Sequence, residues 1–477
     1  MAERKKLSAD LAVIGAGSAG LSAAAGAAML GLKVVLFERH EMGGDCLNFG
    51  CVPSKALLSA AKAAHAPAEA AKLGVTLGPA AVDWAGVKAH IARTIETIAP
   101  IDSQERFEGL GVTVIRESAR FADPRTVVSE TAEVRARRII IATGSRAFIP
   151  PLPGLEGIPY FTNETIFSAA VFPERLVILG GGPIGLEMAQ AFTRLGSKVT
   201  VAEMGRALAR SDAGHAKLAL EELRAEGCVI LEGHKANRVS GEASGLTLHA
   251  VGPDGEVEIP GSHLLVAAGR QAVLDGLDLD AGGVAHDAKG VSVGDTLRSR
   301  SNRRVWALGD VAGREQFTHV AGWHASVFVR RAFFKQGSRA DSLPVPEVTY
   351  TSPEIAQIGL TEAVARERFG EAVKTSAFPF NDNDRAIAEG KTLGEAKLVL
   401  HKGKLVGVSI IGEGAGEIIQ LAGLAMSNGL KLTALTNFIS PYPTRTEALK
   451  RAASAYFTPT VFGPAARRLV GILQRIP

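Results

Sequence analysis

Residues 13–20 read VIGAGSAG and place three glycines at the spacing Gly-x-Gly-x-x-Gly directly after an apolar run. Small residues follow, and then a β-branched run that ends at Glu38. In this strand–turn–helix–strand order, Gly15 permits a tight turn, Gly17 lets the backbone approach a pyrophosphate, and Gly20 lets the helix pack closely on the strand. An acid about 20 residues further on accepts hydrogen bonds from ribose hydroxyls. The stretch therefore predicts a dinucleotide-binding unit.

The same pattern recurs 165 residues later. Gly180, Gly182 and Gly185 follow a second apolar run, and Glu203 ends the next strand, so all four positions of the first unit reappear at a constant offset. Glycines needed only for turns would not recur together with the acidic residue at one constant offset. The sequence thus predicts two dinucleotide-binding units. Because a carboxylate repels a 2′-phosphate, Glu203 favours NADH over NADPH, with Arg206 close enough to keep NADPH as the alternative.

Composition excludes several classes of protein. The 477 residues suggest about three domains. The 53 glycines show no triplet period or Gly/Ser repeat, which excludes collagenous and disordered chains. An excess of 53 Lys and Arg over 49 Asp and Glu is too small and dispersed for nucleic-acid binding. Three cysteines cannot form a disulfide framework and lack zinc-site spacing, so we expect a reducing compartment, the cytoplasm, and no metal.

Three further strand ends suit a bound cofactor. Thr143-Gly144 and Gly269 each follow an apolar run, and Asp310 ends another, where its carboxylate can accept a bond from a cofactor hydroxyl or simply cap a turn. A proline-rich stretch at 150–153 indicates a linker. The predicted boundaries are 1–148 and 273–343 for the two parts of the first nucleotide-binding domain, 149–272 for the second nucleotide-binding domain, and 344–477 for a C-terminal domain.

A glycine-framed segment carries two of the three cysteines. Residues 43–55 read GGDCLNFGCVPSK, with Cys46 and Cys51 separated by four residues. Pro53 opens a helical run, which puts Cys51 at a helix N-terminus, where the backbone field favours a thiolate. The pair could be two buried small hydrophobes. The flanking glycines and the neighbouring nucleotide unit favour a redox pair instead.

This segment resembles the redox-active signature of the class I pyridine nucleotide–disulfide oxidoreductases, which include dihydrolipoyl dehydrogenase, glutathione reductase and mercuric reductase. The resemblance covers nearly the whole chain, including GGGPIGLE at 180–187 and Gly-Asp at 309–310. It implies an α/β fold with two Rossmann-like domains for FAD and NAD(P)H and a C-terminal α+β dimerisation domain. It also implies an obligate homodimer whose active site is shared across the interface.

The resemblance further implies roles for individual residues. Cys51 would face the flavin as the thiolate and Cys46 would exchange with substrate, while Lys55 would lie beside the flavin ring and pair with Glu187. For His319 a core or helix position is an equal alternative to a flavin contact. The residues predicted to contact FAD are Gly15, Gly17, Ser18, Ala19, Gly20, Glu38, Gly44, Lys55, Ala119, Thr143, Gly144, Asp310, Thr318 and His319. Those predicted to contact NADH are Gly180, Gly182, Ile184, Gly185, Glu203, Val239 and Gly269.

The C-terminal motif departs from the family pattern. Thiol–disulfide members carry His-Pro-Thr-x-Ser-Glu, whose histidine serves as acid/base in the partner's active site and is held by the glutamate. Residues 442–447 here read YPTRTE, so Tyr442 replaces the histidine and Glu447 matches the glutamate. With a pKa near ~10 against about 6.5 for histidine, tyrosine is a poor base for a dithiol at neutral pH. Mercuric reductases resemble this chain in that tyrosine, but they carry a C-terminal cysteine pair, and no cysteine follows Cys228 here.

We therefore predict an FAD-dependent oxidoreductase that passes electrons from NADH through the flavin to Cys46 and Cys51, and on to a disulfide near Tyr442 and Glu447. A protein-borne lipoyl group is one such acceptor, in either direction. One alternative is a reductase of metal ions or quinones. Another is a flavoprotein that serves mainly as a binding subunit of a larger assembly. Cys228 is predicted to be a packed residue.

The last residues form a separate feature. Arg467 and Arg468 precede Leu469, Ile472, Leu473 and Ile476, which share one face at helical spacing. We interpret the tail as a helix that packs in the dimer. Docking to a membrane surface or a partner protein is the alternative.

Overall fold

The first glycine motif lies at the centre of a mostly parallel sheet. The computed structural model describes residues 4–242 and 245–476. The strand that precedes the motif is the central one, with parallel neighbours on both sides, and its last four residues are almost fully buried. The elements of this part are β1 (Lys5–Ile14), α1 (Ser18–Met29), β2 (Val34–Phe37), α2 (Gly44–Asn48), α3 (Cys51–Ala71), α4 (Trp84–Ile98), α5 (Gln104–Gly109), β3 (Val112–Ile115), β4 (Arg120–Asp123), β5 (Thr126–Val128), β6 (Ala132–Ile141) and β7 (Ser145–Ala147). The strand order is β3-β2-β1-β6-β5-β4.

The second glycine motif follows the same plan in a smaller sheet. Its elements are β8 (Arg175–Leu179), α6 (Pro183–Arg194), β9 (Lys198–Ala202), α7 (Ala213–Ala225), β10 (Val229–Leu231), β11 (Lys235–Glu242), β12 (Gly245–Gly252), β13 (Gly255–Gly261), β14 (His263–Val266) and β15 (Arg270–Ala272). Strands β10-β9-β8-β14 are all parallel, whereas β11-β12-β13 form an antiparallel sheet of their own. The strand β15 returns to pair with β7, which closes the insertion.

The chain then rejoins the first sheet. It does so through β16 (His286–Asp287), β17 (Gly290–Val291), β18 (Val305–Ala307) and α8 (Thr318–Ala332). Strand β18 pairs in parallel with β6, and α8 packs against α1. The first nucleotide-binding domain is therefore assembled from two separate stretches of sequence.

The C-terminal domain is an antiparallel sheet with two long helices on one face. Its elements are β19 (Pro346–Thr349), β20 (Glu354–Gly359), α9 (Glu362–Phe369), β21 (Val373–Pro379), α10 (Asp384–Ala388), β22 (Glu395–His401), β23 (Lys404–Gly412), α11 (Ala415–Ser427), α12 (Glu447–Val461) and α13 (Pro464–Leu473). The strand order is β19-β20-β23-β22-β21. Buried side chains of α11 and α12 share one apolar core with this sheet.

This architecture confirms the predicted α/β fold with an α+β C-terminal domain. The helix predicted after Pro53 is present as α3, which begins at Cys51 itself. Among the described residues, no helix combines the length and the apolar character that crossing a membrane requires.

Candidate active site

One continuous cavity of about 1520 Å³ runs through both nucleotide-binding domains and reaches the two cysteines. It brings together most of the residues that the sequence singled out. Those that line it are Gly15, Gly17, Ser18, Ala19, Glu38, Gly44, Cys46, Cys51, Lys55, Ala119, Thr143, Gly144, Gly182, Ile184, Glu187, Glu203, Gly269, Asp310, Thr318 and His319.

The remaining glycines of the two motifs act in packing behind the cavity. A Cβ on Gly20 would lie 1.9 Å from the carbonyl oxygen of Gly15, and a Cβ on Gly185 would lie 2.0 Å from that of Gly180. Gly15 and Gly180 adopt φ of +105° and +116°, where side chains are strained. These glycines set the close approach of helix to strand, as the motif requires.

The two acids at the strand ends make matching hydrogen bonds. Glu38 accepts from the backbone N–H of Ala16 at 2.7 Å, and Glu203 accepts from Gly181 at 2.7 Å. Each carboxylate uses its second oxygen to accept from the residue two positions further on. The internal repeat in the sequence therefore extends to the hydrogen bonds.

The N-termini of α1 and α6 suit the phosphates of two dinucleotides. Gly17 and Gly182 are the N-cap residues, and neither helix has a side-chain cap or an acidic residue in its first turn. The first N–H groups of a helix lack intrahelical partners and carry the positive end of the helix dipole, so they bind anions. A Cβ on Gly182 would meet nothing within 4 Å, so the backbone is open on that side. These residues fit FAD at the first unit and a nicotinamide dinucleotide at the second.

The cysteine pair is polarised. A hydrogen bond from Cys46 lowers the pKa of the Cys51 thiol to about 6, assisted by the Thr318 hydroxyl and the positive charge of Lys55. The hydrogen bond and the charge of Cys51, together with burial, raise the pKa of Cys46. Thr318 is the first residue of α8, and its Oγ1 lies 3.4 Å from Cys51 Sγ. These shifts favour the thiolate form at Cys51 and the thiol form at Cys46 when the pair is reduced.

Lys55 lies one turn along α3 from Cys51 and is held on two sides. Its Nζ is 2.8 Å from Glu187 Oε2 and 4.2 Å from the centre of the Tyr350 ring. Glu187 is buried, and its other oxygen accepts from the backbone N–H of Tyr350 at 3.0 Å. Tyr350 was missed by the sequence analysis, since no local pattern marks a tyrosine that follows β19.

A second polar network joins the redox segment to the nucleotide domains, and of its members only Asp310 was predicted from the sequence. Arg270 Nη2 lies 3.1 Å from Asp45 Oδ2, and Arg270 Nε donates to Ser145 Oγ at 2.7 Å. The Ser145 hydroxyl in turn donates to Asp310. Asn163 donates to the other oxygen of Asp45 at 2.9 Å. Burial raises the pKa of Asp310, and the bond from Ser145 opposes that rise.

Tyr442 and Glu447 lie apart from the cysteines of their own chain. Tyr442 is 71% exposed, and its hydroxyl donates to Asp384 Oδ2 at 2.7 Å. That bond raises the pKa of Tyr442 above its ordinary value. Glu447 begins α12 and pairs with Arg451 at 2.9 Å. Neither residue lines the cavity that holds the cysteines of the same chain.

Three other predictions concern single residues. His319 is the second residue of α8, is exposed at the cavity and bonds the Pro346 carbonyl at 3.0 Å, so it is a helix residue but not a core histidine. Cys228 is buried beside Thr193 at 3.0 Å, and burial raises the pKa of its thiol to about 11, which confirms a packed residue. The expectation for Val239 is corrected: it is 3% exposed within β11, packs into an apolar core and does not line the cavity.

Comparison with protein families decides the assignment. The family model described as pyridine nucleotide-disulphide oxidoreductase matches residues 9–325, and its dimerisation domain matches residues 345–453. The chain belongs to the pyridine nucleotide-disulphide oxidoreductase family. Its members are FAD-dependent enzymes that use a pyridine nucleotide, and the dimerisation domain supports a homodimer.

Individual relatives carry different names. The chain is 36% identical to a mercuric reductase of Streptomyces lividans, over 94% of this chain and 96% of that protein. It is also 36% identical to a dihydrolipoyl dehydrogenase of Thermus scotoductus, over 94% and 97%. Among solved structures it resembles the HOCl-induced flavoprotein disulfide reductase RclA from Escherichia coli, with a TM-score of 0.83 and 26% identity over 93% of this chain and 99% of that one.

Proposed function

We propose that this flavoprotein disulfide oxidoreductase uses NADH to reduce a disulfide acceptor through Cys46 and Cys51, with the partner subunit's C-terminal motif completing the site. The observation that carries the proposal is the polarised pair itself: a Cys51 thiolate at a helix N-terminus, beside a partly exposed Cys46 and the Lys55–Glu187 pair. A lipoyl group is the candidate disulfide.

In the proposed cycle, Cys46 and Cys51 have different roles in thiol–disulfide exchange. FAD, when bound, relays two electrons from NADH to the Cys46–Cys51 disulfide. Cys46 then attacks one sulfur of the acceptor, which forms a mixed disulfide and releases one thiolate. Cys51 attacks Cys46 Sγ, which restores the internal disulfide and releases the second thiolate. Over the cycle NADH, one proton and the acceptor disulfide become NAD⁺ and two thiols.

Removal of the proton from the Cys46 thiol is the step that we expect to be slow in this cycle. Its pKa is raised, and only the thiolate attacks a disulfide. The hydroxyl of Tyr442 is a donor to Asp384 with a raised pKa, so it cannot serve as a base at neutral pH. We therefore expect slow turnover of free lipoamide.

Replacing Tyr442 with histidine tests this account of the rate. We expect Tyr442→His to raise kcat/KM for NADH-dependent lipoamide reduction at neutral pH by at least about tenfold, because it supplies a base with a pKa near neutrality. The matched control is Tyr442→Phe, which also breaks the bond to Asp384 but adds no base. If the histidine variant is no faster than the phenylalanine variant, the lack of a base at position 442 does not limit turnover.

Nucleotide preference gives a second prediction. Because the Glu203 carboxylate occupies the strand end where a 2′-phosphate would lie, we expect kcat/KM for NADH to exceed that for NADPH by about 100-fold. Glu203→Gln should reduce that ratio at least about tenfold, while Glu221→Gln, on the exposed face of α7, should leave it unchanged. If the unaltered protein used NADH and NADPH equally well, the attraction of Arg206 for the 2′-phosphate would offset the repulsion by Glu203.

A thiophilic metal ion is the second candidate acceptor. Two observations favour it: the absence of a base at position 442 and the names of several relatives, which are mercuric reductases. A metal ion that binds the Cys46 sulfur promotes loss of the thiol proton by its own charge, so this acceptor does not depend on a base at position 442. An anaerobic screen of NADH oxidation with lipoamide, oxidised glutathione, Cu(II), Hg(II) and a quinone separates the candidates. Turnover with metal ions but with neither disulfide would replace the first candidate by the second.

A further inference from the structure

The C-terminal helix α13 lies at the surface of the described part of the chain. The helix before it, α12, buries Ala448, Leu449, Ala452 and Ala453 in the core of the C-terminal domain. By contrast, α13 has no buried residue along Pro464–Leu473. The packed fold thus ends with α12, and α13 extends from it as a separate surface element.

This helix has a continuous apolar side. Leu469, Ile472, Leu473 and Ile476 follow one another at intervals of three, one and three residues and are 50–65% exposed. At 3.6 residues per turn Leu469, Ile472 and Leu473 fall on one face of α13, and Ile476 follows three residues after the helix ends; we call these four side chains the tail face. Phe462, at the junction with α12, is 65% exposed and adds a large apolar side chain nearby.

The other side of the helix is positively charged. Arg467 and Arg468 occupy it, Arg475 follows the end of the helix, and all three are exposed. After Glu447 the chain contains no Asp or Glu, whereas it contains five Lys and Arg. The tail therefore presents an apolar face flanked by cations, with no carboxylate side chain to neutralise them.

This charge pattern selects among the occupants that could cover the tail face. A second copy of α13 carries the same arginines and no carboxylate side chain, so a symmetric contact between two copies would offer these cations no opposite charge. An anionic lipid surface instead attracts the arginines and takes up the apolar side chains at the boundary between headgroups and acyl chains. We propose that α13 docks the protein on an anionic lipid surface. This inference is independent of the acceptor proposed above.

Sedimentation with lipid vesicles tests the proposal on the full-length, FAD-loaded protein. We expect it to pellet with vesicles of equal parts phosphatidylglycerol and phosphatidylcholine, and to bind vesicles of phosphatidylcholine alone roughly 100-fold more weakly, because about 1 kcal/mol per arginine is lost. Raising the salt concentration should weaken the binding to anionic vesicles.

Variants of the two sides of the helix should act differently. Leu469→Gln with Ile472→Gln should weaken vesicle binding by at least about tenfold. Arg467→Gln with Arg468→Gln should weaken it by roughly 30-fold on anionic vesicles and leave binding to neutral vesicles unchanged. Met29→Gln is the control, because Met29 is 76% exposed at the far end of α1 and lies outside the tail. NADH-dependent quinone reduction should be unaltered in all of these variants.

Three results would overturn the proposal. One is no vesicle binding by the unaltered protein; another is equal binding to neutral and anionic vesicles. The third is unaltered binding by the Leu469→Gln, Ile472→Gln variant. If that variant instead dissociates the dimer in the absence of lipid while vesicles bind neither protein, the tail face is a subunit contact.

Discussion

Cys46→Ser should abolish NADH-dependent reduction of a disulfide acceptor, with a loss of about 10⁴-fold in turnover. Serine preserves the size of the side chain but removes the sulfur that forms the mixed disulfide. Reduction of a quinone should remain near the original rate, since it requires only electron transfer from the flavin. The measurement is anaerobic NADH oxidation with each acceptor in turn.

The matched control is Cys228→Ala. Cys228 is a buried residue outside the cavity, and its thiol has a raised pKa, so its removal should leave both activities intact. A spectroscopic result accompanies the kinetic one: oxidised Cys46→Ser enzyme should show a long-wavelength thiolate-to-flavin band without any reductant, because Cys51 then has no partner for a disulfide. Disulfide turnover that survives in Cys46→Ser would refute the exchange role of Cys46.

Lys55→Met should slow reduction of the bound FAD by NADH about 100-fold and raise the pKa of Cys51 above its value of about 6. The positive charge of Lys55 lowers the pKa of Cys51, and Lys55 is fixed by Glu187 and the Tyr350 ring. Because a neighbouring cation stabilises the thiolate, its loss shifts the acid–base equilibrium of Cys51 towards the thiol. The thiolate-to-flavin band should therefore disappear at a higher pH in the variant than in the unaltered protein.

Two companion variants separate charge from packing. Lys62 lies two turns further along α3, pairs with Glu413 and does not line the cavity. Lys62→Met should therefore change neither the rate of FAD reduction nor the pKa of Cys51. Lys55→Arg keeps the positive charge and should retain the low pKa of Cys51 while losing part of the reduction rate. Since Lys55→Met leaves Glu187 buried without its cation, thermal unfolding is measured in parallel. If the band of Lys55→Met titrates as in the unaltered protein, Lys55 does not stabilise the thiolate.

Local sequence patterns predicted the two strand–turn–helix–strand units that the structure contains. The spacing of Gly15, Gly17 and Gly20 is set by a turn and a helix start that involve only neighbouring residues. The motif can therefore be recognised from the sequence alone. The same holds for Cys51 at the start of α3, because Gly50 and Pro53 mark the N-terminus of that helix in the local sequence. The constant offset of 165 residues then identified the second unit, and the structure repeats even the hydrogen bonds of Glu38 at Glu203.

Long-range partners explain what the sequence could not predict. Arg270 meets Asp45 across 225 positions, and no periodicity links a strand end in one domain to a residue beside Cys46 in another. Tyr350 contacts Lys55 only because the C-terminal sheet packs against α3 and α6. Val239, which the resemblance placed among the NADH contacts, was wrong because β11 belongs to an antiparallel sheet with its own apolar core.

An anaerobic titration of the FAD-loaded protein with NADH tests the central claim most directly. At neutral pH, one equivalent of NADH per FAD should produce a long-wavelength thiolate-to-flavin band with the flavin still oxidised, because the two electrons reside on Cys46 and Cys51. The band should fade as the pH falls through about 6, where Cys51 takes up a proton. Complete bleaching of the flavin by that first equivalent, with no such band at any pH, would contradict the account.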